Sequence, residues 1–310
     1  MAHSLISTRS DDLRFSTERG LPLVVVIPGV ADAGNSVQGL YEFLWEHCDP
    51  QVIFDFNADE LIDYRARRPI ATIKNQRVVE VSEYSLTLAL AHDELGAPFI
   101  LLSGFEPDFR WEAVVDEVLK LVDEFEIDHT TIFHAVPMPV PHTRETQFTV
   151  TGTREDLLAE HGNWMPNSTF PGPLTTLLEY RLQNIGEDVM SWVALVPHYL
   201  ASNDYPVSVL AMLSALSTST GRIFDTVELS GEAEQFLNMV DQQVSESEEN
   251  LALIADMEQR FDQYQQNQEA RVDLLGASGE IPSADELAFE FERFLAKKNK
   301  KDRPEDPIAD

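Results

Sequence analysis

The run Leu23-Val-Val-Val-Ile-Pro-Gly-Val-Ala-Asp-Ala-Gly-Asn-Ser36 constrains this chain more than any other stretch. Its unbroken apolar start reads as a strand buried on both faces, Leu23–Ile27, because an exposed face would alternate with polar residues. Pro28 and Gly29 end that strand, and a helix follows to about His47, with Asn35 or Ser36 as the expected N-cap. Gln51–Phe56 is the next strand, so the order is β-α-β and predicts a sheet with parallel members and a crossover helix. Gly29 and Gly34 have the spacing of a phosphate-binding loop, and Ser36 stands where its hydroxyl residue belongs. Asn35 replaces the required lysine, however, and Asp32 puts a negative charge inside the loop. The segment therefore predicts an α/β fold and a place for a pocket, and argues against nucleoside triphosphate chemistry.

The rest of the chain extends the pattern. Pro69–Val81 holds two β-rich runs around Lys74-Asn75-Gln76 and reads as a hairpin inserted at about 69–82, either an oligomer contact or a local flap. Strands are expected at Ser85–Ala91, Pro98–Leu102, Thr130–Val136, Phe148–Val150 and Val189–Val196. Helices are expected at Pro107–Glu126, Arg154–His161, Leu174–Ile185 and Pro206–Ser219. The α/β core then spans residues 1–225. From Ser230 to Arg271 apolar residues recur at three-, four- and seven-residue steps, giving one long helix or two, within a helical segment over 226–298. After a break at Gly276–Pro282, Ser283-Ala-Asp-Glu286 has capping-box spacing before a last helix to about Lys297. Residues 299–310 read as a disordered tail.

Charge limits the partners. The formal net charge is −32, which opposes binding to nucleic acid or an anionic membrane through any broad basic face. Residues 225–292 carry 18 acidic and 2 basic side chains, read as a solvated face. The cations Lys297, Lys298, Lys300, Lys301 and Arg303 form a small terminal cluster. No apolar run reaches the roughly 18 residues that span a bilayer, and the polar N-terminus lacks a signal-peptide core, so a soluble cytoplasmic protein is expected. Cys48 is the only cysteine, which excludes an internal disulfide and leaves it as a packing residue.

No G-x-S-x-G elbow, H-E-x-x-H motif or intact phosphate loop is present. The glycine spacing is also wrong for a dinucleotide site. No cofactor is expected, and His134, His142 and His198 lack metal-ligand spacing. What remains is a series of short clusters after strands. Loops beyond the carboxyl ends of parallel strands converge on one crevice, which would gather Asp32, Glu106, His142, Arg144 and His198. With Gly29, Gly34 and Asn35 these are the expected pocket residues. Each has a structural alternative: Arg65, Arg67 and Arg68 pairing with Glu106 or Asp108, for instance, or the two histidines bonding neighbouring loops.

The clusters in order are Pro28–Asn35, Asp63-Tyr64-Arg65 with Arg67-Arg68-Pro69, Gly104–Asp108 with Arg110-Trp111, Val140–Arg144, Gly172-Pro173, and Trp192 with Val196–Tyr199. As an ordered set over about residues 20–220 they resemble the proteasome assembly chaperone family, in the actinobacterial branch related to the second chaperone subunit. The resemblance implies a three-layer α/β/α sandwich like that of phosphorylases and hydrolases. It implies a homo-oligomer, a trimer favoured, with the hairpin as a contact, and C-terminal helices able to cover the pocket as a lid. A protein client or partner follows from it as well. The terminal Ile308-Ala309-Asp310 lacks the docking tyrosine often found in such chaperones, so tail-mediated docking on a proteasome is not expected. The reading that results is a non-enzymatic oligomeric chaperone or assembly factor. The alternative is a small-ligand-binding protein or hydrolase with a pocket under the helices.

Overall fold

The computed structural model describes residues 5–29, 31–159, 161 and 169–275, with side chains described up to 266. The break at Gly276–Pro282, the capping box at Ser283, the last helix and the tail lie outside the described residues. The strands are β1 Ile6–Thr8, β2 Leu23–Val26, β3 Gln51–Phe56, β4 Ala71–Lys74, β5 Arg77–Val81, β6 Leu86–His92, β7 Pro98–Gly104, β8 Thr130–Met138, β9 Phe148–Gly152 and β10 Val189–Pro197. The helices are α1 Asp11–Ser16, α2 Ser36–His47, α3 Ala58–Leu61, α4 Trp111–Glu124, α5 Glu155–Leu158, α6 Leu174–Ile185, α7 Pro206–Thr220, α8 Val227–Ser245 and α9 Glu248–Leu275. The chain divides into two units, Met1–Glu258 and Gln259–Asp310. The described residues of the second, 259–275, are helical.

Eight strands form one sheet in the order β1-β3-β6-β7-β2-β8-β10-β9. β7, β2, β8 and β10 are parallel neighbours, whereas β6, β9 and β1 run antiparallel to the strands beside them. β2 and β3 run in the same direction, as the β-α-β order requires, but β7 and β6 lie between them. The interior splits along the sheet. Val24 and Val26 turn to one face with α2 and α7, where Leu40, Leu44, Met212 and Leu216 are buried. Leu23, Val25 and Ile27 turn to the other, with α4 and α6, where Val114, Val118, Leu178 and Leu182 are buried. Helices thus cover both faces, the expected three-layer α/β/α sandwich.

Boundaries moved where local chemistry overrode apolar periodicity. The helix expected from Pro107 starts only at Trp111, because Arg110 adopts a left-handed φ of 62°. The helix expected over Arg154–His161 is a single turn, Glu155–Leu158. The two-helix alternative holds after residue 226, with α8 and α9 separated at Glu246–Ser247. β1 and α1 lie in the N-terminal stretch that carried no structural expectation.

The hairpin β4–β5 forms a separate two-stranded sheet. Asn75 and Gln76 both have positive φ, 49° and 64°, the geometry of the turn that matches strand twist in two-residue hairpins. A register shift at Thr72/Ile73 leaves Val79 as an extra residue on β5.

Candidate functional site

The carboxyl ends of β2, β7, β8 and β10 lie along one edge of the sheet. The loops that follow them carry all eight pocket residues expected from sequence. Six of them fall into three hydrogen-bonded groups, with Gly29 bordering the second and His198 outside all three.

The first is the glycine loop. Asn35 does not cap α2, nor does Ser36: Asn35 has a left-handed φ of 45° and makes no capping bond. Asp32 takes that role. Its carboxylate accepts Val37 N–H at 2.8 Å and Gln38 N–H at 2.9 Å, satisfying donors that have no partner inside the helix. Burial pushes the Asp32 carboxyl above its usual value, and the amides of Val37, Gln38 and Ser36 offset this only in part. Ser36 is fully buried and its hydroxyl bonds Ala33 O and Ser208 Oγ. Gly34 is required by shape, since its φ is +69° and an added Cβ would sit 2.8 Å from Tyr205 Cβ. Its N–H donates to Ala201 O at 2.8 Å and its carbonyl accepts Tyr205 N–H at 2.9 Å. Asn35 Nδ2 donates to Asp204 at 2.7 Å.

The second group surrounds Glu106, which is 5% exposed. Its Oε1 accepts Leu174 N–H at the start of α6, at 2.8 Å. A Cβ on Gly29 would lie 3.9 Å from its Oε2 and 3.7 Å from Pro173 Cβ, so Gly29 borders this carboxylate. Arg67 clamps the same loop, donating to Glu106 O at 2.7 Å and pairing with Asp108 at 2.9 Å. The structural reading of that arginine holds.

The third group ties the loop after β8 to the helical segment. Burial pushes the Tyr199 hydroxyl up to about 12, with the charges of Glu258 and Asp241 adding to it against the His142 amide. The phenol keeps its proton. It accepts His142 N–H at 2.8 Å and lies within hydrogen-bond distance of His142 Nδ1, at 2.7 Å. On the other side of the ring, His142 Nε2 lies 3.1 Å from Asp241 Oδ1. Arg144 pairs with Glu258 at 3.1 Å, and Thr143 donates to the same carboxylate. His198 stands apart as an exposed residue with an edge-on ring contact to Tyr199 at 5.4 Å. Burial lowers His134 to about 4, so its ring is neutral at physiological pH. Among the described residues no cluster of three metal-ligating side chains occurs.

A groove of about 1050 Å³ lies beside the first group, between α2, the start of α7, and α8. Phe43, Tyr205, Val209, Leu229, Phe236 and Met239 give it an apolar lining. Glu42, Glu46, Asp204, Asp225, Glu228 and Glu232 supply its charge, with His47 alone on the basic side. Sequence reasoning missed this groove. Its signal was the acidic stretch after residue 225, which looked like an ordinary solvated face.

A family model, described as PAC2 family, matches residues 26–244, from the end of β2 to the end of α8. The chain belongs to the PAC2 family. That is the family expected from the ordered clusters. A Corynebacterium glutamicum protein of unknown function is 33% identical with a TM-score of 0.79, over 83% of this chain and 97% of that one. A Mycobacterium tuberculosis protein of unknown function is 30% identical with a TM-score of 0.82, over 88% and 94%. A proteasome-assembly chaperone homologue from M. tuberculosis is 19% identical with a TM-score of 0.69, over 76% and 99%, and shares the fold. No protein of curated function matches the chain. No helix among the described residues is long and apolar enough to cross a membrane.

Proposed function

We propose that this PAC2-family protein is a non-enzymatic, cytoplasmic chaperone or assembly factor that works as a homo-oligomer, a trimer favoured, and binds a protein partner. The observation that carries the reading is the hairpin. Ile70, Ile73 and Val78 are 75%, 68% and 61% exposed, and Val79 and Val81 are more than half exposed. A contiguous apolar surface of this kind on a projecting element marks an interaction site. The relative named as a proteasome-assembly chaperone homologue supports the same direction.

The test is the mass in solution of the full chain and of Ile73→Asp/Val78→Asp, by sedimentation equilibrium. A trimer has three times the 34.9 kDa chain mass. The expected result is a wild-type oligomer and a variant that dissociates while keeping its helical spectrum. A monomeric wild type overturns the oligomer reading, and a variant of unchanged mass overturns the hairpin as its contact.

A ligand-binding or hydrolase reading has one observation in its favour. Asp241 on α8 and Glu258 on α9 bond the loop after β8, as helices closing a pocket would. It ranks second because Asp32 and Glu106 place the chain's own carboxylates at the starts of α2 and α6, where an anionic substrate group would be held.

A further inference from the structure

We propose that the β4–β5 hairpin of one protomer docks into the acidic groove between α2, α7 and α8 of a second copy of this chain. The inference rests on the oligomer reading and names the surface that receives the hairpin.

The hairpin is unfinished as it stands. It pairs with no strand of the main sheet, and an isolated two-stranded hairpin is marginally stable in water. Lys74 stands directly opposite Arg77 in the register, and like charges in that position repel. Next to them the cross-strand pair Ile73 and Val78 is exposed. Arg65 and Arg68 add two more exposed cations at the hairpin base. Among the described residues none of these four cations makes an ion pair. In a chain of net charge −32, this exposed cationic cluster is a surface that a patch of carboxylates attracts.

The groove offers the complement. Its six carboxylates line it together with apolar side chains, the same two kinds of surface, with opposite charge, that the hairpin tip carries. At about 1050 Å³ it lies just above the roughly 300–1,000 Å³ of small-ligand clefts, room enough for a polypeptide tip. Glu228 and Glu232 are exposed and one helical turn apart on α8, so both present to the same visitor. Hairpin and groove are different patches, and each protomer has one of each. The contact is therefore heterologous, and repeating it closes a ring when the rotation permits.

A charge swap in the full chain tests this. Three variants are compared with wild type by sedimentation equilibrium: Lys74→Glu/Arg77→Glu, Glu228→Lys/Glu232→Lys, and all four together. Each double reversal should weaken association by about tenfold or more, and the fourfold variant should recover most of the loss, since close interfacial charge pairs couple by roughly 1.5–7 kcal/mol. Weakening by the hairpin reversal alone overturns the groove while leaving a hairpin interface standing. Weakening by both without recovery in the fourfold variant also overturns it, because the groups then do not face each other. Unchanged mass in all three overturns the docking and the hairpin interface together. Melting curves of each monomer separate loss of association from loss of fold.

Discussion

Removing the Asp32 carboxylate should turn a self-occupied helix start into an anion site. The carboxylate accepts Val37 and Gln38 N–H at 2.8 and 2.9 Å. Loss of an N-cap side chain costs ~1 kcal/mol, with a range of about 0.5–2, and hydrogen bonds to charged groups contribute ~1.5–3 kcal/mol each. Against this, burial already disfavours the ionised form, so part of the gain is cancelled. Asp32→Ala should therefore lose about 2 kcal/mol. For a domain of this size each kcal/mol shifts Tm by about 2–4 °C, so the melt should fall by roughly 4–8 °C. The two N–H groups and the positive end of α2 stay behind without a partner.

Sulfate should then fill the gap. At ten times its Kd a ligand of the native state adds RT ln 11, about 1.4 kcal/mol, which would restore most of the melt. The assay is thermal denaturation of wild type and Asp32→Ala against sulfate, with chloride at matched ionic strength. Sulfate strengthens burial in any protein, so the informative quantity is the extra rise in the variant. A variant as stable as wild type refutes the capping role. Equal sulfate increments in the two proteins refute the vacated-site reasoning. The pH dependence adds a sign. Because the folded carboxyl is raised, the margin of wild type over Asp32→Ala should be greater in acid. It should shrink as pH rises through the folded value.

Asp93 should show the opposite sign. It is 7% exposed, and although burial alone would raise it, amide bonds from Ile223, Ala97 and Leu95 with the nearby Arg222 hold it below its usual value. Its contribution is present above the unfolded value of about 3.9 and is lost as pH falls through the folded one. Acid titration of stability should show wild type and Asp93→Asn separated at pH 7 and converging in strong acid, and a constant gap would count against this account. Cys48 should resist alkylation at pH 8 in the native chain. Burial, then Asp93 and Glu94, push its thiol up to about 12, and it is 2% exposed. Native labelling should be on the order of a thousandfold slower than labelling in denaturant, and comparable rates would mean that α2 opens readily.

The parts legible in the sequence are those decided locally. Leu23–Val26 is apolar throughout because both its faces meet helices, and that pattern survives without any knowledge of neighbours. Asn75 marks a two-residue hairpin turn because asparagine tolerates positive φ. Strand direction was a different matter. β6 reads like any buried strand, and its antiparallel pairing follows from the tight turn at Asp93–Ala97 that leads into β7. β1 escaped notice because three residues on an edge carry no periodicity, and its partner is chosen by the free side of β3. At the N-terminus of α2, Asp32 and Asn35 are equally good capping types. The left-handed turn at Asn35 decided between them by pointing its side chain to Asp204. The groove joins Glu42 to Glu228 across almost the whole core, a long-range meeting that no local pattern encodes.

These particulars bear on how an α/β/α sandwich would serve the proposed interaction role. Such sheets bind ligands where parallel strands end and helices begin, because exposed N–H groups there attract anions. Here that attraction is satisfied twice from within, by Asp32 on α2 and by Glu106 on α6. The hydroxyl of Ser36 is likewise turned inward, against Ser208. A small anion would have to displace bonded carboxylates from partly or fully buried positions, at the cost of leaving those carboxylates unpaired. The unsatisfied chemistry has moved to the periphery, to a cationic apolar hairpin and an acidic apolar groove. In the proposed docking each gains a partner in the other, since the groove on a second copy has the charge that matches the hairpin. The strand-end loops form a frame beside the groove, tying the start of α2 to that of α7 through Gly34 with Ala201 and Tyr205 and through Ser36 with Ser208. Loosening that frame at Asp32 should therefore weaken assembly as well as fold. An Asp32→Ala chain that melts lower yet associates with wild-type affinity would show the frame and the groove to be independent.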